Sequence, residues 1–148
     1  MRQLATELPR VSYPALLWRQ EYTYLAATPL ELCAHPGSMF EDTLRRARAG
    51  EWHLLDSQGR SFDVADWTRV RQFGGLRGFG LRLLGSIFAV PVLTNERELS
   101  LPEYKQRLAD AVRSRFRYDS DQAPAMHAIS QIETATSYQE AIDALPKL

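Results

Sequence analysis

Cysteine is almost absent from this chain of 148 residues: Cys33 stands alone. One thiol excludes an intramolecular disulfide framework and a cysteine-built zinc site. Such sparing use suits a reducing compartment, so a cytoplasmic location is the expectation. Long apolar runs are also missing. The most apolar stretch, Leu83 to Leu93, has 11 residues, carries Pro91 and follows Arg82, whereas a membrane-spanning helix needs about 20. It reads as a buried strand, and no membrane partner is expected. The opening MRQLATELPR carries acid and lacks an apolar stretch, unlike a secretory signal. Net charge is lacking too. Eighteen basic residues cancel 18 acidic ones, so no overall field selects nucleic acid or anionic lipid.

Motifs of catalysis are equally scarce. His35, His53 and His127 fall in separate elements, and no HExxH, GxSxG or GxxxxGK[ST] pattern occurs. Gly75-Leu76-Arg77-Gly78-Phe79-Gly80 superficially resembles a phosphate cradle, but an apolar strand follows it where the cradle needs a helix N-terminus. No cofactor and no metal are expected, and the lack of a convergent catalytic set argues against an enzyme.

What is present is an ordinary globular composition, 45% hydrophobic and 24% charged. The length suits one domain, 1–148, with residues 118–148 as a helical C-terminal appendage. Tyr22 to Ala26 alternates as a strand does. Thr28-Pro29-Leu30-Glu31 has the form of a helix start, and Leu32 to Ala34 are too few to decide between helix and strand. Ser38 and Glu41 form a capping box for a helix ending at Gly50, with Phe40, Leu44 and Ala47 as its apolar stripe. Trp52 and Leu54 face Phe62 and Val64 across a turn at Asp56-Ser57-Gln58-Gly59, a hairpin signature. The glycines from 66 to 85 predict a loop or distorted hairpin. Ser86 to Leu93 is a strand apolar on both faces, with Pro91 at an edge or strand end.

Ser100 and Glu103 cap the longest helix, whose buried stripe is Tyr104, Leu108, Ala111, Val112 and Phe116. Asp121 and Pro124 open another, with Met126, Ile129 and Ile132 inward. Ser137 and Glu140 cap a last short one. The fold class is α+β: a small, mostly antiparallel sheet, helices packed on one face, and two C-terminal helices appended.

Three constellations are candidate sites. Cys33 and His35 would share a face if both lay on one strand, the minimum for a thiol–imidazole pair. His53, Asp56 and Asp63 cluster on the hairpin, where an imidazole beside carboxylates could act as a base. The third is electrostatic. No acid occurs from Trp67 to Asn95, while Arg69, Arg71, Arg77 and Arg82 interleave with Phe73 and Phe79. The tail from Tyr118 to Leu148 carries five acids against Lys147. These six arginine and phenylalanine residues are the expected partner-binding set, for another protein with an acidic surface or a second copy of the chain. Zero net charge argues against nucleic acid, although arginine with aromatics is what single strands stack on. Trp67, at the mouth of the glycine segment, is the tryptophan expected to be partly exposed.

By subtraction, the leading expectation is a small interaction module of adaptor, inhibitor or immunity type. The alternative is a small enzyme or ligand-binding domain with its pocket between sheet and helices.

Overall fold

The computed structural model describes residues 11–20, 22–70, 80–81 and 84–146. In chain order the elements are β1 (Ala15–Arg19), β2 (Tyr22–Ala26), α1 (Pro29–Cys33), β3 (Ala34–Pro36), α2 (Phe40–Arg48), β4 (His53–Leu55), β5 (Arg60–Val70), β6 (Ser86–Glu98), α3 (Leu101–Arg115), α4 (Ala123–Thr134) and α5 (Tyr138–Asp143). The six strands form one sheet in the order β2-β1-β4-β5-β6-β3. Each neighbouring pair is antiparallel. The class is the expected α+β with an antiparallel sheet.

β1 explains the layering. Its residues Ala15 and Leu17 belong to one buried cluster, which also contains Leu32, Phe40, Ala47, Trp52, Phe62, Val64 and Trp67. Leu16 and, half-buried beside it, Trp18 belong to a second cluster with Leu55, Tyr104, Leu108, Ile132 and Ile142. Helices α1 and α2 thus cover one face, and α3, α4 and α5 cover the other. The expectation that α3 shares a face with α2 is refined accordingly: α3 joins the late helices, because its stripe meets Leu16 and Leu55 on the reverse side. A strand apolar on both faces shows no alternation, which is why β1 escapes a period-two reading.

Local signals decide most helix starts. The side chains of Thr28, Ser100 and Ser137 accept from the main-chain N–H of Glu31, Glu103 and Glu140, each satisfying a donor that the helix leaves free. Ser38 does not cap α2. It lies in a 3-10 turn, Gly37–Met39, and the residue before the helix is Met39, with no side-chain cap. Gly50 holds the expected left-handed position after the helix, at φ 79°. On α4 the buried residues are Ala125, Ala128 and Ile132, while Met126 is 68% exposed, so Met126 lies outside the inward stripe assigned to it.

Two irregularities in the β5–β6 ladder correct the sequence reading. The first falls between Val64 and Asp66. Strict alternation after Phe62 and Val64 would turn Asp66 inward and Trp67 out. The extra residue reverses the phase, so Trp67 is 3% exposed and Asp66 reaches the guanidinium of Arg48 at 3.2 Å. Residues 66–70, expected as part of a loop or distorted hairpin, are strand, paired with β6 in a bulged antiparallel ladder. The second bulge contains Asn95, at φ 54°. β6 runs through Pro91 to Glu98, but β3 pairs with it only from Ser86 to Phe88. Pro91 accordingly lies where β6 has lost its outer neighbour, as a residue without an N–H requires.

Candidate functional site

The α1–α2 side of the sheet holds an open-mouthed cavity of about 800 Å³. It is built from a simple register. Facing pairs on β1 and β2 are Ala15 and Ala26, Leu17 and Tyr24, then Arg19 and Tyr22 at the turn. Side chains two apart point the same way, so this face grades from small and apolar to aromatic and charged. Leu17 is 5% exposed and Tyr22 is 46% exposed, which sets the deep end and the rim. Leu30 and Leu32 of α1, Trp52, and Leu81 with Leu84 add apolar wall.

Polar groups in the wall are few. Glu31 accepts the main-chain N–H of Ala27 through Oε2 at 2.6 Å. Asp42 is bonded to Arg45 and, at 2.8 Å, to Arg46, and these two guanidinium groups hold its carboxyl below the usual carboxylate range. The Tyr24 phenol is pushed up by burial, then by Glu31 and Tyr22. Arg19 has no such engagement. Its guanidinium carbon lies 5.2 Å from the Trp52 ring centre and 5.5 Å from that of Tyr22. Its Nε is buried without a hydrogen-bond partner.

His35, on β3, also lines the cavity. It packs edge-on against Trp67, with ring centres 4.4 Å apart, and against Phe40 at 5.6 Å. Burial lowers its pKa to about 4, against the opposing effect of a bond to the main chain of Ala89. The imidazole is therefore neutral near pH 7. The nitrogen engaged with Ala89 donates, since that bond favours the protonated ring, and Nε2 is left as a buried acceptor without a partner.

The other constellations fare differently. Cys33 and His35 do not share a strand face, because Cys33 is the last residue of α1 and His35 the middle one of β3; the period-two relation needs both on one strand. His53 and Asp63 do meet, with Nδ1 and Oδ1 2.8 Å apart. Asn95 donates to the other Asp63 oxygen at 2.8 Å. Asp63 is held below the usual carboxylate range by Asn95 first and by His53 after it. The Trp18 ring covers the imidazole at 4.6 Å. Asp56 is not part of that pair. It is wholly buried in the turn, accepting from the N–H groups of Gln58 and Arg60, both at 2.9 Å, and from the Arg60 side chain at 2.7 Å.

Of the expected partner-binding set, Arg69 is an exposed strand residue whose guanidinium lies 5.9 Å from the Phe40 ring centre. Arg71, Phe73, Arg77, Phe79 and Arg82 lie outside the described residues. Sequence reasoning missed Arg19, Tyr22 and Trp52 as a group. The legible signal was Arg19 in phase with Ala15 and Leu17, a charge on an otherwise inward face. Among the described residues, no group of three or more His, Cys, Asp or Glu is placed to hold a metal ion, and no helix is long and apolar enough to cross a membrane. No protein-family model, curated protein or solved structure matches this chain.

Proposed function

We propose that this protein is a ligand-binding domain that takes a small, largely apolar molecule into the cavity between the sheet and α1–α2. The observation that carries the reading is the cavity itself, about 800 Å³ in a chain of 148 residues. Protein interiors are packed like organic crystals, with few voids larger than a water. Small-molecule pockets occupy about 300–1,000 Å³, with apolar and aromatic walls and a few placed polar groups. Leu17, Leu32, Tyr24 and Trp52 supply such a wall, and Arg19 and His35 are polar residues that line it.

The test uses the neutral fluorophore N-phenyl-1-naphthylamine, which brightens in apolar surroundings. The full chain is expected to bind it saturably, at one site. Thr43 lines the cavity from α2 and is only half-buried, so Thr43→Trp should fill the mouth, spare the fold and weaken binding at least about tenfold, on the scale of a lost apolar contact area. No saturable brightening, or brightening unchanged in a folded Thr43→Trp variant, would remove the proposal.

A further inference from the structure

We infer that the occupant of the cavity is an acid, an apolar body ending in a carboxylate, and that Arg19 at the rim reads that group. The inference rests on the cavity being a binding site and adds the chemistry of what enters it. Three charged side chains and one imidazole are in the wall: Arg19, Glu31, Asp42 and His35. Glu31 is held by the main chain of Ala27, and Asp42 is neutralised by Arg45 and Arg46. Of these three charged side chains, Arg19 alone makes no hydrogen bond or ion pair among the described residues. Its contacts are the rings of Tyr22 and Trp52, which meet each other edge to face with centres 5.5 Å apart. Ring contacts of this kind leave the N–H donors of the guanidinium unengaged, and its Nε has no hydrogen-bond partner. A guanidinium edge matches the two oxygens of a carboxylate.

Aromatic rings beside acids can instead form a cage for a ligand cation. Here the cation over Tyr22 and Trp52 is the protein's own. A cationic ligand would have to displace Arg19 from both rings, whereas an anion completes the arrangement. The gradient along β1 orients the guest. The carboxylate sits at the Arg19 and Tyr22 rim, and the body extends past Leu17 toward Leu32.

The experiment is displacement of N-phenyl-1-naphthylamine from the full chain, near neutral pH, by decanoate, 1-decanol and decylamine. A charge-assisted hydrogen bond is worth enough to separate acid from alcohol by about tenfold or more. Decanoate is therefore expected to displace the fluorophore at a concentration at least about tenfold below that of 1-decanol. In Arg19→Gln this preference, read as the ratio of acid to alcohol against the variant's own fluorophore affinity, should fall to within about twofold, and Arg19→Lys should retain part of it. Equal displacement by acid and alcohol in the wild type overturns the inference and leaves the cavity standing. So does a preference that survives in Arg19→Gln. Stronger displacement by decylamine assigns recognition to Glu31 and Asp42 and also overturns it. A fluorophore that never binds removes the cavity reading itself. If Arg19→Gln does not fold, the wild-type ratio and Arg19→Lys decide.

Discussion

The Tyr104 hydroxyl donates to the main-chain oxygen of Asp56 at 2.6 Å, within the buried interior. This bond ties α3 to the β4–β5 turn, 48 residues earlier in the chain. The same Asp56 organises that turn through its carboxylate, which accepts from Gln58, Arg60 and Ser12. Burial raises the Tyr104 phenol far above its ordinary range, so it stays a donor throughout the working pH range. Tyr104→Phe should cost about 1–2 kcal/mol, because the buried Asp56 carbonyl is left with only the long bond from the Gly59 N–H, at 3.4 Å. Asp56→Ala should cost more, about 3–5 kcal/mol, because the N–H groups of Ser12, Gln58 and Arg60 lose their acceptor and the Arg60 guanidinium keeps only the more distant Glu96, at 3.9 Å. Urea unfolding of both variants checks the order; a Tyr104→Phe loss equal to or larger than that of Asp56→Ala contradicts it.

Serines 38 and 100 stand before helices with the same sequence signature but different structure. Ser100→Ala should lower stability by about 1 kcal/mol, the usual loss for an N-cap. Ser38→Ala should stay within about 0.5 kcal/mol, since Ser38 lies in the 3-10 turn and caps nothing. Denaturation midpoints that fall equally would mean that α2 begins at Ser38.

Gly59 combines φ 81° with a close neighbour: a Cβ there would meet the Tyr138 ring at 2.4 Å. Gly59→Ala should lose well over about 1 kcal/mol, the backbone term alone, because the ring must also move. Tyr138 is itself fixed, its hydroxyl donating to the Leu99 carbonyl at 2.6 Å. Placing Gly59→Ala in a Tyr138→Ala background should recover the steric part. Simple additivity of the two losses would show that no collision exists.

His35 makes stability depend on pH in a defined direction. Its folded pKa, about 4, lies below the unfolded value of about 6.5. Between these values the unfolded chain binds the extra proton. Stability from this group is complete above about pH 6.5 and is lost as pH falls toward about 4, by on the order of 3 kcal/mol. His35→Phe should abolish that component, so the variant gains on the wild type as the solution is acidified. Parallel stability curves for the two proteins over this window would exclude the effect.

Much of the frame was legible because its causes are local. Ser100 and Ser137 sit three residues before a glutamate, and the hydroxyl finds the same N–H wherever the helix packs. The Trp52-to-Val64 hairpin was legible in its alternation, and its register placed His53 beside Asp63 before any coordinates. Nothing local marks a bulge, so the inward turn of Trp67 became visible only in the ladder with β6. The cavity lay further still beyond the sequence. Arg19 ends β1 and Trp52 precedes the β4 strand paired with it, but His35 is on β3 at the far end of the strand order, and all three line one cavity only because the sheet curls. Helix starts, turn chemistry and strand phase come from neighbours within a few residues. Which charge faces an empty apolar space is settled by packing among residues distant in the chain, and there the tertiary structure alone decides.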